Sequence, residues 1–122
     1  MHDTRRKILV VEDHEETRTV LGAALEDQGF HIQIAGDGLA ALDVIAATPP
    51  DLILLDVGLP LMTGPQLLEQ LVQNPAHARI PVIVITGATD YPKQCAHAVA
   101  FMRKPIDFFR LLRLVRYYVD AA

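Results

Sequence analysis

Five short apolar runs punctuate the chain, at Lys7–Val11, His31–Ala35, Asp51–Leu55, Pro81–Ile85 and Val99–Met102. Three are nearly unbroken Val, Ile and Leu, the pattern of strands covered on both faces. The stretches between them keep helical spacing. Thr17, Val20, Leu21, Ala24 and Leu25 form one apolar stripe, which Gly29 stops. Leu39, Leu42, Val44 and Ile45 form a second, closed by Thr48-Pro49-Pro50, because proline has no amide hydrogen to continue a helix. Leu67, Leu68, Leu71 and Val72 form a third, entered through Thr63-Gly64-Pro65 with proline near the first turn. The last and longest helix is predicted over Ile106–Val119. Between Thr86 and Val99, Gly87, Pro92 and a scarcity of apolar anchors predict a fourth helix that is short or irregular. Five strands alternating with five helices predict an α/β fold, a doubly wound parallel sheet with helices on both faces.

A length of 122 residues fits one domain, here 1–122, and 51% hydrophobic residues exclude a disordered chain. The net charge of -4 argues against a nucleic-acid binder, which needs a basic footprint. Charge is uneven: residues 1–61 hold 11 acids and 4 bases, residues 62–122 hold 4 acids and 7 bases. The single Cys95 cannot form an internal disulfide and has no motif around it. No segment approaches the roughly 20 apolar residues of a membrane helix. Arg5-Arg6-Lys7 before Ile8–Val11 is too short an apolar run for a leader. A cytoplasmic protein is expected.

In open parallel sheets, ligands bind beyond the carboxyl ends of the strands. The first run ends in Glu12-Asp13, the third in Asp56, the fourth in Thr86 and the fifth in Lys104-Pro105. Three carboxylates, a hydroxyl and an ammonium are therefore expected at one edge. Carboxylates so close repel each other unless compensated, and an all-oxygen site suits Mg²⁺ or Mn²⁺. An ammonium adds a point charge for a phosphoryl group, a hydroxyl adds a donor, and aspartate is a competent nucleophile toward phosphorus. Phosphoryl transfer onto Asp56 is the chemistry this set suggests. Singly, each residue has a plainer explanation: helix capping for Glu12-Asp13, turn chemistry for Asp56, a loop hydroxyl for Thr86, a solvated charge for Lys104. Their arrival at the ends of four strands together favours a site.

The segments Ile8-Leu9-Val10-Val11-Glu12-Asp13, Asp51-Leu52-Ile53-Leu54-Leu55-Asp56, Leu59-Pro60-Leu61-Met62-Thr63-Gly64, Val82-Ile83-Val84-Ile85-Thr86 and Phe101-Met102-Arg103-Lys104-Pro105 follow in order. Together they resemble the response-regulator receiver domain of two-component signalling, over nearly the whole chain. The resemblance implies a flavodoxin-like strand order 2-1-3-4-5. It implies that Asp56 takes a phosphoryl group from a sensor histidine kinase or histidine phosphotransfer protein. Glu12, Asp13, Asp56 and the Gly58 carbonyl would hold Mg²⁺, Lys104 would pair with the phosphoryl oxygens, and Thr86 and Phe101 would be the switch pair. The Lys104–Pro105 bond resembles one that is cis in the family. Such a module controls a downstream protein target and turns over no substrate, so an enzyme in the ordinary sense is not expected.

Departures from the family pattern cluster in one segment. Thr86 and Lys104 stand only 18 positions apart, His97-Ala98 replaces a frequent Gly-Ala pair, and Gly87 follows the switch hydroxyl. These touch the outward signalling route more than the phosphorylation. Gly58, without a side chain over Asp56, suggests a short-lived phosphorylated form. His2, His14, His31, His77 and His97 lack ligand spacing, and His14 reads as a helix-start residue. Arg110, Arg113 and Arg116 line one side of an otherwise apolar last helix, which is a candidate homodimer or partner face. The alternatives are a flavodoxin-like cofactor binder, opposed by the acidic crevice, and a small metal-dependent phosphatase, for which 122 residues leave little cap. The chain is compatible with a free-standing receiver and with one excised from a longer regulator.

Overall fold

Alternation within the apolar runs decides which side of the sheet each residue covers. The computed structural model describes residues 4–59, 61–87 and 97–121, so most of the expected fourth helix lies outside the described residues. The strands are β1 (Lys7–Val11), β2 (His31–Ala35), β3 (Leu52–Asp56), β4 (Val82–Thr86) and β5 (Ala100–Arg103). All pairs are parallel, in the order β2-β1-β3-β4-β5. The helices among the described residues are α1 (Glu15–Asp27), α2 (Gly38–Ala47), α3 (Gly64–Gln73) and α4 (Phe108–Ala121). The expected doubly wound α/β architecture and strand order are what the chain adopts.

Side chains of a strand point alternately to opposite faces. Leu9, Val11, Ile53, Leu55, Val82 and Val84 accordingly join Ala41, Ile45, Leu67, Leu68 and Leu71 of α2 and α3 in one buried cluster. Ile8, Val10, Leu52, Leu54, Ile83, Ile85 and Met102 join Leu21 and Leu25 of α1 and Leu111, Val115 and Val119 of α4 in the other. β3 and β4 are buried along their whole length, which explains their unbroken apolar runs. The helical stripes overreach the buried faces: Val20, Leu39 and Val72 sit at the margins and stay exposed. On α4 the surplus of apolar residues is real at the surface, where Phe109 is 81% and Tyr117 67% exposed.

β3 and β4 each begin and end one residue later than the apolar runs suggest. Pro81 has no amide hydrogen for the ladder, although its carbonyl accepts from the Ile53 amide at 3.0 Å. The shift makes Asp56 and Thr86 the final strand residues. Helix ends follow local chemistry. The Phe30 and Gly29 amides close α1 onto the Leu25 and Glu26 carbonyls, with Gly29 at φ 96°, a left-handed turn that glycine enters without strain. Thr63 and Gln66 form a reciprocal capping box at the start of α3. α4 starts two residues later than its spacing predicts because Asp107 Oδ1 accepts from the Arg110 amide at 3.2 Å, leaving Ile106 outside the helix.

Gly38 opens α2 against the loop after β3. A Cβ there would lie 2.6 Å from both the Cβ and the carbonyl oxygen of Met62. Gly38→Ala is therefore expected to destabilise the fold by about 1–3 kcal/mol, the usual cost of overpacking. A urea melt checks this, and an unchanged midpoint would mean that the loop moves aside freely.

Candidate functional site

The sheet ladder places each candidate residue. The Glu12 amide donates to the Ala35 carbonyl at 3.1 Å, continuing β1 past its last residue, and the Lys104 amide donates to the Thr86 carbonyl at 2.8 Å, continuing β5. Asp56 ends β3 and Thr86 ends β4. Glu12, Asp56 and Thr86 are all buried, at 3%, 8% and 3% exposure, the described residues' polar exceptions in an apolar interior. Buried carboxylates need partners. Lys104 supplies one to both: its Nζ lies 3.4 Å from Glu12 Oε2 and 3.4 Å from Asp56 Oδ2. The Gly58 amide donates to the other Asp56 oxygen, Oδ1, at 3.3 Å.

Partial burial disfavours the charged ammonium of Lys104, but the Asp56 and Glu12 charges and their hydrogen bonds outweigh it and raise its pKa. The ammonium thus stays charged between two carboxylates. The repulsion expected among the acids is relieved in part by the chain's own cation. The Lys104–Pro105 bond is cis.

Asp13 is more exposed than Glu12, and His14 is the N-cap residue of α1. Helix capping does not account for Glu12: the N-cap residue His14 makes no side-chain cap, and among the described residues the only backbone amide donating to Glu12 Oε1 is that of His14, at 3.4 Å. The His14 ring turns back instead, with Nδ1 3.0 Å from Glu12 Oε1 and 3.3 Å from Asp13 Oδ1. The hydrogen bond to Glu12, then the Asp13 and Glu12 charges, raise its pKa. One ligand atom from each of Glu12, Asp13, His14 and Asp56 falls within a group spanning 4.8 Å. This donor set fits a divalent cation.

Val84 lies opposite Phe101, and Thr86 opposite Arg103. Alternation puts Thr86 on the side of the sheet where Phe101 packs, half-buried, against the core of α2 and α3. The structure therefore brings together Glu12, Asp13, Asp56, Gly58 and Lys104, with Thr86 and Phe101 on one adjoining face. Sequence reasoning missed two contributors. His14 reached the site through its ring rather than as a cap alone. Arg18 donates from Nη1 to the Glu12 carbonyl at 3.1 Å. Arg18 stands one turn after His14, whose carbonyl accepts from its amide at 2.9 Å, a four-residue spacing visible in the sequence.

Residues 8–116 match the model of the response regulator receiver domain family. The chain is 29% identical over 115 residues to sporulation initiation phosphotransferase F of Bacillus subtilis, covering 93% of each. It is 36% identical over 114 residues to response regulator PleD of Caulobacter vibrioides, covering 90% of this chain but 25% of that much longer one. Its fold matches the signal receiver domain of a signal transduction histidine kinase from Syntrophus aciditrophicus with a TM-score of 0.87 and 30% identity, over 96% of this chain and 92% of that one. Neither a flavin-binding protein nor a phosphatase is favoured by these likenesses. Among the described residues no helix is long and apolar enough to cross a membrane. From β1 to α4, this chain belongs to the response regulator receiver domain family.

Proposed function

We propose that Asp56 is the phosphoacceptor of a single receiver domain spanning 1–122. The supporting observation is the placement of the Lys104 ammonium 3.4 Å from Asp56, with the Gly58 amide holding the second oxygen. An Asp56 oxygen attacks the phosphorus of a phosphohistidine on a sensor kinase or phosphotransfer protein. The O–P bond forms, the N–P bond breaks, and the leaving imidazole nitrogen takes a proton from solvent. Lys104 meets the charge on the transferring oxygens, and orientation with electrostatics carries most of such a reaction. Glu12, Asp13, Asp56 and the Gly58 carbonyl would hold Mg²⁺, which when bound supplies further neutralising charge; Mn²⁺ suits the same oxygens.

Thr86 and Phe101 are the switch pair in this reading, the hydroxyl turning toward the phosphoryl group and the ring inward. Phosphorylation then shifts the balance of two arrangements, and a downstream protein reads the difference. The domain turns over no substrate, works in the cytoplasm and binds no nucleic acid directly. The exposed Phe109 and Tyr117 of α4 make that helix the candidate homodimer face.

Intact mass after incubation with Mg²⁺ and a small acyl phosphate tests the acceptor. One added phosphoryl group is expected, absent in Asp56→Asn and after chelation. An adduct that persists in Asp56→Asn would overturn the assignment. So would an unmodified wild-type chain in which beryllofluoride also leaves Thr86 and Phe101 unchanged.

Among the described residues, its chain neighbours aside, nothing lies within 4 Å of where a Gly58 Cβ would stand. No side chain at position 58 shields an acyl phosphate at Asp56 from water. Gly58→Asn is expected to lengthen the phosphoryl lifetime several-fold in a timed mass assay; an equal decay rate would count against an open acceptor face.

A further inference from the structure

Among the described residues, the group of side chains able to ligate a metal at this edge includes one imidazole. His14 precedes the first helical residue of α1 at φ -77° and ψ 110°, an extended conformation that brings its ring back over the end of β1. Nδ1 faces Glu12 Oε1 at 3.0 Å and Asp13 Oδ1 at 3.3 Å. One ligand atom from each of Glu12, Asp13, His14 and Asp56 lies within 4.8 Å of the others. Ligands sharing one ion at about 2.1 Å are separated by about 3–4.2 Å, so a small contraction brings the imidazole into the same coordination sphere as the carboxylates. The ring is 71% exposed and gives up little burial in reorienting toward an ion.

Ligand chemistry then sets the preference. Mg²⁺ takes oxygen donors and keeps its waters, whereas Co²⁺, Ni²⁺ and Zn²⁺ gain from an imidazole nitrogen, Ni²⁺ more than Co²⁺ in the general order of first-row ions. We propose that His14 converts the receiver's cation site into a mixed nitrogen–oxygen site selective for late first-row transition ions over Mg²⁺. This rests on the reading of Asp13 and Asp56 as cation ligands. Because both classes of ion need those two carboxylates, they compete, and a transition ion displaces Mg²⁺ from the acceptor.

Titration of the full chain with Co²⁺, followed by its visible absorption, and with Mg²⁺, followed by calorimetry, tests the idea at one fixed pH. In His14→Gln the ratio of Co²⁺ to Mg²⁺ affinity is expected to fall about tenfold or more, since even the loss of an outer-shell partner weakens a metal site about 10–100-fold. The Co²⁺ absorption band should shift in the same variant. Asp13→Asn should weaken both ions. An unchanged ratio and band in His14→Gln, with both ions still lost in Asp13→Asn, would overturn the inference and leave the oxygen site standing. Mg²⁺ binding that survives Asp13→Asn would overturn the underlying site as well. Co²⁺ binding that needs His14 but survives Asp13→Asn and Asp56→Asn would place the ion elsewhere, and so would also refute the mixed site.

Discussion

Lys104→Ala is expected to slow phosphoryl uptake from a small acyl phosphate by about a hundredfold, the scale on which a site loses one preorganised donor to developing charge. Its Nζ stands 3.4 Å from Asp56 Oδ2, and the two carboxylates raise its pKa, so the ammonium is charged when the reaction begins. The same substitution changes stability, because Glu12 and Asp56 would remain buried at 4% and 10% side-chain exposure without their shared counter-charge. Removing one partner of a buried ion pair is costly, though the 30% exposure of Lys104 lets solvent soften the loss. The variant should therefore melt lower than wild type without metal and gain more on addition of Mg²⁺. Lys104→Arg retains charge but spreads it over a planar fork, so it should rescue stability better than rate. Single-turnover mass kinetics and paired melting curves check both halves. A Lys104→Ala chain phosphorylated at the wild-type rate would remove the ammonium from the chemistry.

Much of this site was legible because the sheet converts sequence order into position. Glu12-Asp13, Asp56, Thr86 and Lys104 each close an apolar run, and parallel strands bring such ends to one edge. The fold was legible for a related reason: runs buried on both faces, such as Leu52–Asp56, have few other places to go. What escaped were features set by single side-chain contacts. No periodicity indicates that Asp107, rather than a residue before Ile106, starts α4, or that Val20 lies outside the covered stripe. The sequence indicates His14 as the helix-start residue, yet the direction of its ring depends on two carboxylates that precede it. Leu61 shows the same limit. It holds φ 65° while 78% exposed, a left-handed leucine that only the geometry of the loop after β3 explains.

Ile83→Ala is expected to cost about 2–5 kcal/mol, a large part of the roughly 5–15 kcal/mol that holds a domain of this kind together. Ile83 is fully buried in β4, opposite Leu54 on one side and Ala100 on the other, within the cluster that α1 and α4 cover. The surrounding strands are too tightly laddered to close the cavity. Ile83 also lies three residues before Thr86, about 10 Å along the strand, a distance at which effects usually add. Bound cation stabilises the native state by mass action, about 2.7 kcal/mol at a hundred times the dissociation constant. That increment should be the same in Ile83→Ala as in wild type, so urea melts with and without saturating Mg²⁺ should shift in parallel. A loss below about 1 kcal/mol would mean that β4 packs more loosely than its burial implies. A cation increment that vanishes in Ile83→Ala would instead show that the acceptor edge is held in shape by the packing beneath it.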